Sequence, residues 1–336
     1  MPNAVQSTVL QGSSPLSDST HLSKSLDTER ISVNETVIEV TDFRKTYSDV
    51  VAVDGITFEV RRGEVFGLLG PNGAGKTTTL ECLEGLRSRD GGSLRVEGID
   101  PGRQFRQLRN LIGVQLQTSG LPPSIRVEEA MRLFCAYHGV AARYDVVDRL
   151  GLTEKTSAQY QELSAGQQRR LALAVAIAHN PPVLFLDEPT AGLDVASRVA
   201  LHDLMRELKA GGTTIILATH DMAEAEEMTD GVAILLHGRI AATGTPLELT
   251  ATGAGLTKIS VRTKGSSLSK PGVTFPAVSQ QMFKEEYAVY FSTDVGPTVS
   301  AIIACIEAQA DTLIDLRVER PSLEDRFLEI TNTGRP

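Results

Sequence analysis

The chain has 336 residues, with 33 Lys+Arg against 42 Asp+Glu and a formal charge of −9. At 41% hydrophobic and 22% charged it has an ordinary globular composition, long enough for about two domains, and its acidic balance argues against nucleic acid as a partner, because phosphate backbones are bound by clustered Lys and Arg. The longest apolar run, Leu171 to Ala178, has eight residues, whereas a membrane-spanning helix needs roughly 20.

Cys82, Cys135 and Cys305 are isolated, with no CxxC spacing, and the N-terminus lacks the basic start, apolar stretch and cleavage site of a signal peptide. Both features predict a reducing, cytosolic setting. Residues 1–34 carry eleven Ser or Thr and no aromatic residue, so they bury too little surface to offset ordering and are expected to form a disordered tail.

Strands are expected at Val37 to Val40 and Ile56 to Val60, where apolar and polar residues alternate, and at Val65 to Leu69. The third runs into a glycine-rich loop and a helix over Thr77 to Leu86. Between Pro122 and Tyr160 helical patterns take over, with Ser124 expected to cap a helix carrying Val127, Met131 and Phe134. Val183 to Leu186 and Ile215 to Ala218 are short, unbroken apolar runs, as expected for strands covered on both faces of a mostly parallel sheet. The fold class is therefore α/β. From about Gly253 a second, smaller α/β pattern follows: Tyr287, Val289 and Phe291 alternate, as do Ile314, Leu316 and Val318, with a helix between them that starts near Pro297.

Gly70, Pro71, Asn72, Gly73, Ala74, Gly75, Lys76 and Thr77 match GxxxxGK[ST] between an expected strand and an expected helix. Glycines let the backbone wrap phosphate oxygens, the N–H groups and helix N-terminus supply positive partial charge, Lys76 reaches the β/γ-phosphates and Thr77 offers a hydroxyl to Mg²⁺. Asp187 and Glu188 end an apolar strand, where open α/β sheets place ligands. There Asp187 would hold Mg²⁺ and Glu188 would polarise the attacking water. His220 follows the next apolar strand, within reach of the same end. Ser164 and Gln167 fit a Ser-x-x-Gln capping box, and with Gly166 they also make a helix N-terminus suited to an anion.

In this order the motifs resemble the ABC-type ATPases over about residues 36–250. The resemblance implies a P-loop NTPase fold with a helical subdomain at about 122–165 and a small C-terminal α/β domain at 254–332. It makes Gly70 to Thr77, with Thr78, the Walker A loop and Leu163 to Gln167 the signature. Asp187 and Glu188 become Walker B and the catalytic glutamate, Asp194 the D-loop aspartate, and His220 the switch histidine. Tyr47 is placed like the aromatic that stacks on adenine, with a core strand aromatic as the other reading, and Gln117 like the Q-loop glutamine that contacts Mg²⁺ and the attacking water. Two departures stand out: Ala165 replaces a usual glycine of the signature, and no proline precedes Gln117, which has Gln115 as a rival.

Glu319 to Ile330 is similar to the tail of daunorubicin-resistance-type export ATPases, whose separate permease is of the ABC-2 class. The resemblance thus implies an ATP- and Mg²⁺-dependent homodimer, peripheral on the cytoplasmic face of the membrane, exporting drugs, antibiotics or lipid-like compounds. The other readings are a soluble ABC ATPase acting on nucleic acid or ribosomes, and an importer ATPase. Taken without the resemblance, Ser322 to Ile330 reads as a capped amphipathic helix on the small domain.

Overall fold

The computed structural model describes residues 35–117, 120–251, 256–265, 267–269, 274–284 and 286–333, so the expected tail at 1–34 lies outside the described residues. In chain order the elements begin with β1 (Thr36–Tyr47), β2 (Val50–Arg61), β3 (Val65–Leu69), α1 (Lys76–Leu83), β4 (Gly91–Val96), α2 (Phe105–Leu108) and β5 (Ile112–Gln115). A helical stretch follows, α3 (Val127–Tyr137), α4 (Tyr144–Arg149) and α5 (Ala165–Ile177). Then come β6 (Val183–Asp187), α6 (Val195–Ala210), β7 (Thr214–Thr219), α7 (Met222–Met228), β8 (Gly231–Leu236), β9 (Arg239–Gly244) and α8 (Pro246–Ala251). The C-terminal part holds β10 (Thr257–Thr263), β11 (Val278–Lys284), β12 (Tyr287–Ser292), α9 (Val295–Ala308), β13 (Leu313–Glu319) and α10 (Leu323–Thr333).

The main sheet has the order β5-β6-β7-β3-β8-β9 and is parallel except for β9. Side chains alternate across it. Val183 and Phe185 of β6 face the antiparallel sheet β2-β1-β4 and α1, in one core with Phe43, Ile56 and Leu80, whereas Leu184 and Leu186 face α3, α5 and α6. Burial on both faces explains why these strands read as unbroken apolar runs.

β1 and β2 extend well beyond their apolar segments, through register shifts near Val40 and Phe43 that keep the ladder going past polar residues. Ser124 does not cap α3. The first residue before that helix is Arg126, whose N–H donates to Glu129 Oε2 at 2.9 Å.

The C-terminal sheet, β11-β12-β10-β13, packs Ile259, Val261 and Tyr290 against Ile302 and Ile306 of α9. The last helix departs from expectation. Ser322 and Asp325 cap it reciprocally, but Leu323, Phe327 and Ile330 pack with Met222, Ala225 and Leu249 of α7 and α8, and the Leu323 N–H donates to Glu226 at 3.0 Å. The apolar stripe of α10 thus packs on the ATPase core, with Leu323 buried and Phe327 and Ile330 partly covered. No helix among the described residues is long and apolar enough to cross a membrane.

Candidate active site

Parallel register brings one end of β5, β6, β7 and β3 into line: Gln115 lies opposite Leu186, Asp187 opposite Ala218, and Leu69 opposite Thr219. The loop after β3 departs from this edge. Gly70 and Gly75 both have positive φ, and a Cβ would lie 2.3 Å from the Leu235 carbonyl oxygen at Gly70 and 2.6 Å from that of Ala52 at Gly75. Any other residue would break the wrap. Lys76 is buried and curls back over the loop, donating to the Gly70 carbonyl at 2.7 Å and the Pro71 carbonyl at 3.3 Å.

Thr77 Oγ1 donates to Asp187 Oδ2 at 2.9 Å. Burial pushes the Asp187 carboxyl up, the Thr77 hydroxyl draws it back, and the neighbouring Glu188 charge adds to the rise. Its other oxygen, Oδ1, is buried with no hydrogen-bond partner among the described residues. An unpaired carboxylate oxygen beside a threonine hydroxyl is a hard-oxygen donor set that suits Mg²⁺.

Glu188 has a left-handed backbone, φ 50°, which costs on the order of 1 kcal/mol and persists only where neighbours enforce it. Its N–H donates to the Ala218 carbonyl at 2.9 Å, and Arg169 of α5 donates to its carbonyl oxygen. The side chain thus enters the site between two partners: Oε1 lies 3.5 Å from Lys76 Nζ and Oε2 lies 2.7 Å from His220 Nδ1. Lys76, Thr77, Asp187, Glu188 and His220, spread over 145 positions of sequence, form one cluster.

The other expected residues lie outside that cluster. Tyr47 ends β1, half-buried, with Lys45 and Arg87 at 5.2 and 5.4 Å from its ring centroid, and it is absent from the apolar core. Ser164 and Gln167 make the capping box of α5 (Gln167 N–H to Ser164 Oγ, 3.3 Å; Ser164 N–H to Gln167 Oε1, 2.9 Å). Asp194 caps α6, accepting from Ser197 N–H at 2.8 Å. Among the described residues no hydrogen bond joins residues 163–167 or Asp194 to the phosphate loop.

Gln117 is exposed two residues beyond β5, while Gln115 is 2% exposed with Oε1 unpartnered among the described residues. Sequence reasoning missed Arg169 and the buried carboxylates Glu84 and Glu224. Neither residue type nor spacing marks them.

Residues 53–191 match the ABC transporter family. The chain is 36% identical over 305 residues to the Nod factor export ATP-binding protein I of Paraburkholderia xenovorans (strain LB400), covering 88% of this chain and 97% of that protein. It is 33% identical over 314 residues to the daunorubicin resistance ATP-binding protein DrrA3 of Streptomyces coeruleorubidus, covering 90% and 98%. A solved ATP-binding subunit of an ABC transporter superposes with TM-score 0.60 at 31% identity, over 64% of this chain and 92% of that one. A phosphate loop facing a strand-end carboxylate pair, in a chain that matches these relatives along nearly their whole length, makes this protein an ATP-hydrolysing member of the ABC transporter ATP-binding family.

Proposed function

We propose that the chain is the motor of an exporter, working as a head-to-tail homodimer on the cytoplasmic face of a membrane and driving a separate ABC-2 type permease. The observation that carries this reading is the alignment over 97% and 98% of two relatives named for Nod factor export and daunorubicin resistance. Each ATP is held by the loop Gly70 to Thr78 of one copy, with Tyr47 against the adenine, and by Ser164, Gly166 and Gln167 of the other, with Asp194 at the contact between copies. The exposure of Ser164 at the start of α5, away from its own phosphate loop, supports a role in the second copy's site.

Thr77 and Asp187, with Gln117, would hold Mg²⁺, which when bound neutralises charge between the phosphates. Lys76 binds the β- and γ-phosphates. The Glu188 carboxylate takes the proton of the attacking water as the new O–P bond forms and the bond to the β-phosphate oxygen breaks. His220 orients that end of the reaction.

A groove of about 270 Å³ between α2, β5 and α3 is rimmed by exposed Leu86, Phe105, Leu116 and Tyr137. Apolar side chains grouped on such a surface suit a docking segment of the permease.

Glu188→Gln keeps shape and ATP binding but removes the base. Turnover is expected to fall by about 100-fold or more, and the protein is expected to accumulate as a dimer with ATP and Mg²⁺ in light scattering. Hydrolysis at the parent rate would remove Glu188 from this role. Recovery of the chain without any polytopic membrane protein would count against the permease.

A further inference from the structure

The turn that presents His220 is tied down by a buried acid that has no part in the chemistry above. Glu224, on the first turn of α7, is 3% exposed, and its Oε2 accepts from Thr219 Oγ1 at 2.8 Å. The same Thr219 hydroxyl accepts from the Asp221 N–H at 3.0 Å, and Asp221 Oδ1 accepts from the N–H groups of Ala223 and Glu224 at 3.0 and 3.1 Å. Residues 219–224 are thereby closed on themselves around His220.

The other oxygen, Glu224 Oε1, lies 3.4 Å from Nε2 of His202, a buried residue of α6. Burial pushes the Glu224 carboxyl up, and the hydroxyls of Thr219 and of Thr190, two residues after Glu188, draw it back toward the charged form together with His202. His220 itself is 56% exposed and meets Glu188 at its Nδ1, so little packing of its own holds the ring. Its position depends on the turn beneath it.

We propose that Glu224 is a positioning residue for ATP hydrolysis: its carboxylate fixes the turn that carries His220 and, through His202, ties that turn to the helix that Asp194 caps. A hydroxyl that donates to a carboxylate and accepts from an N–H has one orientation, and networks of this kind lose rigidity when one member is replaced. His220 and the 190–194 segment then move as one unit. The inference rests on the proposed role of His220 in orienting the reacting end of ATP.

The test is a double-mutant cycle in the full chain, with Glu224→Gln, His220→Ala and the pair compared by phosphate release from radiolabelled ATP. In the parent, Glu224→Gln is expected to lower kcat about tenfold with KM for ATP held within about twofold. In the His220→Ala background the same change is expected to cost less than about twofold, because the unit it serves is already gone. The His220 ring signal in histidine-labelled NMR spectra is expected to broaden or split in Glu224→Gln.

Equal falls in both backgrounds, with His220→Ala itself impaired, overturn the linkage and leave the site intact. Parental turnover in His220→Ala overturns the placement of His220 and the linkage with it. If Glu224→Gln does not fold, Thr219→Val removes the hydroxyl at nearly constant volume and enters the same cycle with the same expectations.

Discussion

Glu84 closes the first helix at 1% exposure, with Oε2 unpartnered among the described residues. Burial, with the charge of Asp187 adding to it, pushes its carboxyl up from 4.5 to about 8. A folded-state pKa above the unfolded one means that the unfolded chain gives up its proton first. Stability from this group is therefore lost as pH rises from about 4.5 to about 8 and levels off above. Glu84→Gln, neutral at every pH, is expected to be more stable than the parent by on the order of 4 kcal/mol at pH 8 and by much less at pH 5. Thermal melts across that range check this, and parallel pH profiles for the two proteins would refute it. Lys76, Thr77, Asp187, Glu188 and His220 were legible in the sequence because their chemistry is tied to fixed spacing around apolar strands. Glu84, Arg169 and Glu224 were not, since a carboxylate or guanidinium on a helix carries no mark of being buried until its neighbours arrive.

At the scale of elements, the parallel strands fell where their patterns placed them and the phosphate-loop helix stops at Leu83, short of the expected Leu86, as Gly85 turns left-handed, while α10 did not dock where its stripe alone suggested. An amphipathic stripe records that a helix is covered on one side and not by what. Leu323 is fully buried in the cluster with Met222, Ala225 and Leu249. Leu323→Ala is expected to cost about 2–5 kcal/mol of that packing. The loss reads out as faster hydrogen exchange in both α7 and α10, and a change confined to α10 would show that the helix is not coupled to the ATPase core. Because α7 follows directly on His220, the C-terminal helix packs on the element next to that turn. The capping box of α5 satisfies its helix terminus and leaves the Ser164 side exposed.

At the scale of the molecule, the proposed head-to-tail arrangement makes a prediction that no single variant can test. Lys76→Ala removes the phosphate-loop cation and Ser164→Arg blocks the signature, so each is expected to be inactive alone. In a mixed dimer, one site takes its loop from the Ser164→Arg copy and its signature from the Lys76→Ala copy, and is intact. Mixing is expected to restore about a quarter of the parent ATPase rate, half the dimers being mixed with one of two sites working. No recovery on mixing would mean that each copy works with its own signature. Moving such a dimer between 1:99 and 99:1 open and closed takes about 5.5 kcal/mol of differential affinity, which calls for several phosphate contacts across the interface. The sequence by itself determined the α/β class, the strands buried on both faces, the phosphate loop and the order of the motifs, because each rests on local periodicity or short spacing. Only the tertiary structure decided that Thr77 meets Asp187 across 110 positions, that Glu188 takes a left-handed backbone under the hold of Ala218 and Arg169, and that α10 rests on the ATPase. The first two depend on which strand ends the parallel register sets side by side, and register is a property of the assembled sheet; the third depends on which apolar surface the folded chain brings to α10.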